Sequence, residues 1–71
     1  FMNFICAEMA GKILEICIQV GDLVDSDQDV VVMESMKMQI PVVAPRAGRV
    51  KAIAVSQGQF VNEGDALVEL E

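Results

Sequence analysis

A primary amine held between two thioethers, Met36-Lys37-Met38, is the one constellation in this chain that invites covalent chemistry. Glu34-Ser35 precedes it. Such an amine can be acylated, yet the chain carries nothing to acylate it with. It has no His, and no Ser or Cys is provided with a base partner, so no nucleophile–base pair is available. Cys6 and Cys17 lack CxxC spacing and, without His, make no zinc set. Sequence alone gives no geometry for a Cys6–Cys17 disulfide, and with no secretion signal the favoured reading is reduced thiols serving as small core or surface residues. A lysine amine near neutral pH is protonated in all but roughly one molecule in a thousand. Acylation of Lys37 therefore needs a separate enzyme to activate the acyl group and remove the proton.

The composition says what kind of scaffold presents it. Seventy-one residues suffice for one domain, 1–71. With 54% hydrophobic residues and only 4% aromatic ones, the core must be aliphatic, which suits β-branched strands and argues against disorder. The net charge of −6 comes without a Lys/Arg cluster or an aromatic platform, so neither nucleic acid nor an anionic membrane is an expected partner. The acidic surface suits a soluble monomer. No apolar run approaches the ~20 residues of a spanning helix. The segment 1–7 is apolar but lacks the basic start and length of a signal peptide, and Phe1 ahead of Met2 is read equally as a cloning remnant or as the start of an excised fragment.

An internal repeat organises the chain. Shifted by 37 residues, positions 5–34 align with 42–71 without a gap, and eight of the thirty pairs are identical, against roughly two by chance. Ala7/Ala44, Gly11/Gly48, Gly21/Gly58, Val31/Val68 and Glu34/Glu71 are among them. Each half reads as short strands separated by turns. Ile16 and Ile18 alternate with Glu15 and Cys17, as Ile53 and Val55 do with Ala52 and Ala54. Gly21 and Gly58 supply turn positions. Comparing the halves assigns Val31, Met33, Val68 and Leu70 to the inward face, with Val32 and Glu69 outward. Ile13 and Val50 are out of phase with Ile16 and Ile53, and a β-bulge near 14–15 and 51–52 restores the phase. The expected fold is all-β: a flattened barrel or sandwich of two four-stranded antiparallel sheets, related by a pseudo-two-fold axis, with strands of both halves in both sheets.

The segment 35–39 lies outside the repeat and joins the halves, which places it at a hairpin tip opposite the chain termini. Tight hairpins favour Asn-Gly or Asp-Gly, because both central residues of a type I′ turn need positive φ. Met36-Lys37 forgoes both, which points to side chains kept for their use. In a competing reading, Met33, Met36 and Met38 fill a core along a helix over 30–40. The Val-rich stretch, Pro41 and the alternation of 66–71 weigh against it.

In this frame Glu34-Ser35-Met36-Lys37-Met38 resembles the E-A/S-M-K-M motif of biotinyl domains. Ala7-Glu8-Met9-Ala10-Gly11 is similar to that family's A-P-M-x-G start, with Glu8 in place of the usual Pro. Ala44-Pro45-Arg46-Ala47-Gly48 echoes it. No insertion separates Ile18 from Gly21, so the chain looks like the thumbless type. The resemblance covers almost the whole chain. It implies that Lys37 carries biotin, and that Met36, Met38 and Glu34 are read by a biotin protein ligase. Repeat partner Glu71 leaves a purely structural role for Glu34 equally open. It further implies a non-catalytic carrier for biotin carboxylase and carboxyltransferase partners, in the cytoplasm or, for a piece of a eukaryotic carboxylase, the mitochondrial matrix. Lipoyl attachment, whose turn typically reads D-K-A, is the nearest alternative. An unmodified β-sandwich adaptor is the other.

Overall fold

A computed structural model describes residues 3–71; Phe1 and Met2, and with them both readings of the chain's start, lie outside the described residues. Eight strands succeed one another: β1 Phe4–Cys6, β2 Gly11–Ile16, β3 Leu23–Val24, β4 Asp29–Ser35, β5 Met38–Val43, β6 Gly48–Ile53, β7 Phe60–Val61 and β8 Ala66–Leu70. They form two four-stranded antiparallel sheets, ordered β1-β8-β6-β3 and β5-β4-β2-β7. The expected sandwich is present, and there is no helix among the described residues, so the competing helix over 30–40 falls.

The 37-residue repeat maps β2 onto β6 and β3 onto β7 residue for residue. Each sheet takes two strands from each half, so the halves exchange strands rather than stack as separate units. Turn hydrogen bonds obey the same dyad. The Gly21 N–H donates to the Val50 carbonyl at 2.8 Å and the Gly58 N–H to the Ile13 carbonyl at 2.7 Å. Both glycines have positive φ, 94° and 88°, as their turns require.

The bulges expected from sequence occur at Leu14 and Lys51: Ile13 and Glu15 face Met33 and Val32, while Val50 and Ala52 face Leu70 and Glu69. A second dyad pair of irregularities was not anticipated by the sequence pattern. The register slips at Val30, between the pairs Asp29↔Val43 and Val31↔Val42, and at Leu67, between Ile5↔Val68 and Cys6↔Ala66. An extra residue breaks strict alternation. Val30 and Val31 are thus both fully buried, as are Leu67 and Val68. Strands β2 and β6 stop at Ile16 and Ile53, so Ile18 and Val55 reach the core from the loops beyond.

The core fills with dyad pairs between the sheets: Ile13 with Val50, Val24 with Val61, Val31 with Val68, Met33 with Leu70. All buried side chains among the described residues are apolar. Each such side chain contributes about 1.5–3 kcal/mol on leaving water, which is how a chain so poor in aromatic residues sustains a fold. Cys6 and Cys17 are free thiols, half-buried and exposed respectively.

Candidate functional site

Strands β4 and β5 are the longest pair, running in register from Ser35↔Met38 back to Val31↔Val42. Only Met36 and Lys37 separate them. Their φ angles are 53° and 65°, the double left-handed signature of a type I′ turn, built here without Gly or Asn. An L residue in that region costs on the order of 1 kcal/mol, a strain that falls on two exposed residues at the hairpin tip. Met36 is 92% exposed and Met38 64%, whereas Met33, one turn of the pleat below, is 1% exposed and locked into the core. Met33 anchors the hairpin, and Met36 and Met38 are left in water.

Lys37 is exposed and enters no ion pair or side-chain hydrogen bond among the described residues. Glu34 sits on the outer face of the same hairpin, across from Lys12 on β2 and Gln39 on β5. Its carboxylate is also exposed and unpaired among the described residues, although its neighbour across the ladder is a cation. On the opposite sheet Lys51 and Glu69 do meet, at 3.6 Å. The structure thus brings Glu34, Met36, Lys37 and Met38 together on one projecting hairpin.

The hairpin's free edge is blunted. Ser35 and Met38 close a two-residue turn and so exchange both backbone hydrogen bonds, which makes Val32↔Pro41 a non-hydrogen-bonded pair two steps further on from Glu34↔Gln39. Pro41 therefore lacks an N–H only where β5 faces solvent; no ladder bond is lost, and the edge offers one donor fewer to a foreign strand. Among the described residues no group of three or more His, Cys, Asp or Glu side chains gathers as a metal site. The hairpin thus holds an exposed primary amine at its apex, open to approach by another protein.

The sequence profile of the biotin/lipoyl family, described as "Biotin-requiring enzyme", matches residues 2–70. The chain belongs to the biotin/lipoyl family. Within this family it is 48% identical over 63 residues to the biotin/lipoyl attachment protein of Bacillus subtilis, covering 89% of this chain and 86% of that protein. It is 46% identical over 68 residues to the biotin carboxyl carrier protein of Streptococcus mutans, covering 96% of this chain but 52% of the relative. A dihydrolipoyllysine-residue acetyltransferase component of the pyruvate dehydrogenase complex of Azotobacter vinelandii is 43% identical over 61 residues, 86% of this chain and 10% of that one. Among solved structures, a single-chain, multi-domain long-chain acyl-CoA carboxylase superposes with a TM-score of 0.88 at 35% identity, over 93% of this chain and 7% of that chain. The biotin/lipoyl fold here thus corresponds to nearly all of one small relative and to a small part of much larger ones.

Proposed function

We propose that this chain is a biotin carrier module in which Lys37 Nζ forms an amide with the carboxyl group of biotin. The observation that carries the reading is an exposed amine, unpaired among the described residues, at the apex of a strained two-residue turn and bracketed by Met36 and Met38. The fit is chemical: an exposed primary amine, once deprotonated, accepts an activated acyl group. A separate biotin protein ligase activates the acyl group and takes the proton. Met36, Met38 and Glu34 offer it two thioethers and a free carboxylate on one hairpin.

When bound, biotin supplies a ureido ring that carries CO2 from a carboxylase site to a carboxyltransferase site. The residues of this chain do the mechanical part. The sandwich holds Lys37 away from the core on paired strands, so the tethered group meets its second site at a high effective concentration. Carboxylase and carboxyltransferase partners, a monomeric carrier and location in their compartment, cytoplasm or mitochondrial matrix, belong to the same proposal.

Lipoylation at Lys37 is the second reading, favoured by the name of the Bacillus relative and by the acetyltransferase relative. Met36 and Met38, where a lipoyl turn typically carries Asp and Ala, favour biotin. Co-expression with a biotin ligase and, separately, a lipoate ligase, followed by intact-mass measurement and peptide mapping, tests both. Biotin on Lys37, and none after Lys37→Ala in a chain with an unchanged circular-dichroism spectrum, is the expected result. Label on Lys12 or Lys51 instead would overturn the assignment.

A further inference from the structure

Gly21, Gly58 and Gly64 have positive φ, and a Cβ at any of them would project into open space. Gly11 is the reverse case. It is buried at the start of β2, pairs with Val61 of β7, and precedes Lys12, the residue across from Glu34. A Cβ built on it would lie 2.5 Å from the Glu34 carbonyl oxygen and 3.3 Å from the Glu34 carbonyl carbon. Heavy atoms settle at about 3.5 Å, so one strand would have to retreat by about an ångström. The obstacle is backbone, and no rotamer change relieves it. Glycine is needed at 11 for space, not for conformation.

The dyad provides an internal control. Gly48 is the repeat partner of Gly11, but its nearest obstacle is Arg46 Nη1 at 2.8 Å, the far end of a flexible side chain, with Leu70 atoms at 3.6 and 3.7 Å. Two positions that the repeat makes equivalent therefore differ in one respect. The hard backbone contact exists only in the half that bears the Lys37 hairpin, and it falls on Glu34, three residues or about 10 Å of strand from the lysine.

We propose that Gly11 is a positioning residue for modification of Lys37: the close seat of β4 on β2 at Glu34 sets where the Met36-Lys37 turn stands. The inference rests on the carrier reading for its functional half, and on geometry alone for its structural half. A shift of about an ångström at the root of the hairpin misplaces the amine in a ligase active site, where errors of that size cost up to about a hundredfold.

The test compares Gly11→Ala with Gly48→Ala in the full chain. Backbone amide resonances, thermal midpoints, and kcat and KM for ligase acylation are measured at a temperature where all chains are folded. Gly11→Ala is expected to displace the resonances of residues 34–39 and to lower kcat tenfold to a hundredfold with little change in KM. Gly48→Ala should perturb residues near 46–49 and leave acylation as in the parent. A Gly11→Ala chain that loses stability but keeps parental hairpin resonances and kcat overturns the proposal. Should Gly11→Ala not fold, the parent chain decides: a Gly11 Hα pressed on the Glu34 carbonyl resonates clearly downfield of both Gly48 Hα protons. Gly11 protons matching those of Gly48 overturn the seat itself. Failure of the parent to accept biotin or lipoate at Lys37 sinks the carrier reading instead, because the resonance shifts are read without a ligase.

Discussion

Asp27 and Gly64 occupy the same left-handed conformation in the two halves, with φ of 68° and 90°, and each N–H donates at 2.8 Å to an alanine carbonyl of the other half, Ala44 and Ala7 respectively. Glycine enters that region freely, whereas Asp, the most tolerant L residue there with Asn, does so at a cost of about 1 kcal/mol, less the roughly 0.5–1 kcal/mol of extra chain entropy that glycine loses on folding. Asp27 also adds to a run of acids with Asp25 and Asp29 in a chain of net charge −6. Asp27→Gly is therefore expected to stabilise the fold by about 0.5 kcal/mol, a rise of roughly 2–4 °C in thermal midpoint for a domain of this size. Calorimetry checks it; a fall in the midpoint would show that the aspartate side chain contributes more than its backbone conformation costs.

The attachment turn should behave in the opposite sense for function. Asn tolerates left-handed φ far better than Met, so Met36→Asn is expected to stabilise the chain by about 0.5–1 kcal/mol. The same change removes one of the two thioethers offered to the ligase, and the acylation rate of Lys37 is expected to drop. Thermal melts and single-turnover acylation on the same samples separate the two effects. A variant both more stable and equally well acylated would mean that Met36 is not read by the ligase.

Cys17 provides a pH dependence of definite sign. Although the residue is exposed, partial burial of its thiol pushes the pKa above the ordinary value, and the carboxylates of Glu15 and Asp29 push it further. The folded chain thus holds this proton more tightly than the unfolded one. The contribution to stability is complete below the pKa of the unfolded thiol and is lost as pH rises through the folded value. In a Cys6→Ser background, alkylation of Cys17 at mildly alkaline pH is expected to be slower in the native chain than in urea, since the thiolate is the reacting form. Equal rates in the two states would contradict the shift.

The position of the hairpin turn is legible in the sequence. Met36-Lys37 had to be a turn because the repeat stops at Glu34 and resumes at Val42, with apolar alternation on both sides. The bulges at Leu14 and Lys51 were legible because Ile13 and Val50 break phase with Ile16 and Ile53, and a change of phase is a local property. Those at Val30 and Leu67 were hidden. Four successive apolar residues, Val30 to Met33, leave no alternation in which a slip can show.

The amino-acid order alone determined where the chain turns back, which amine stands at the seam and, away from the slips at Val30 and Leu67, which side chains face inward, because strand periodicity and turn chemistry act over a few residues. Which strand lies beside which was decided only in three dimensions. Backbone hydrogen bonding is alike for every residue but proline, so partner choice falls to the core that all eight strands enclose together. That choice lays β2 against β4 closely enough that only a hydrogen fits at position 11, and it places Asp27 where its repeat partner is glycine.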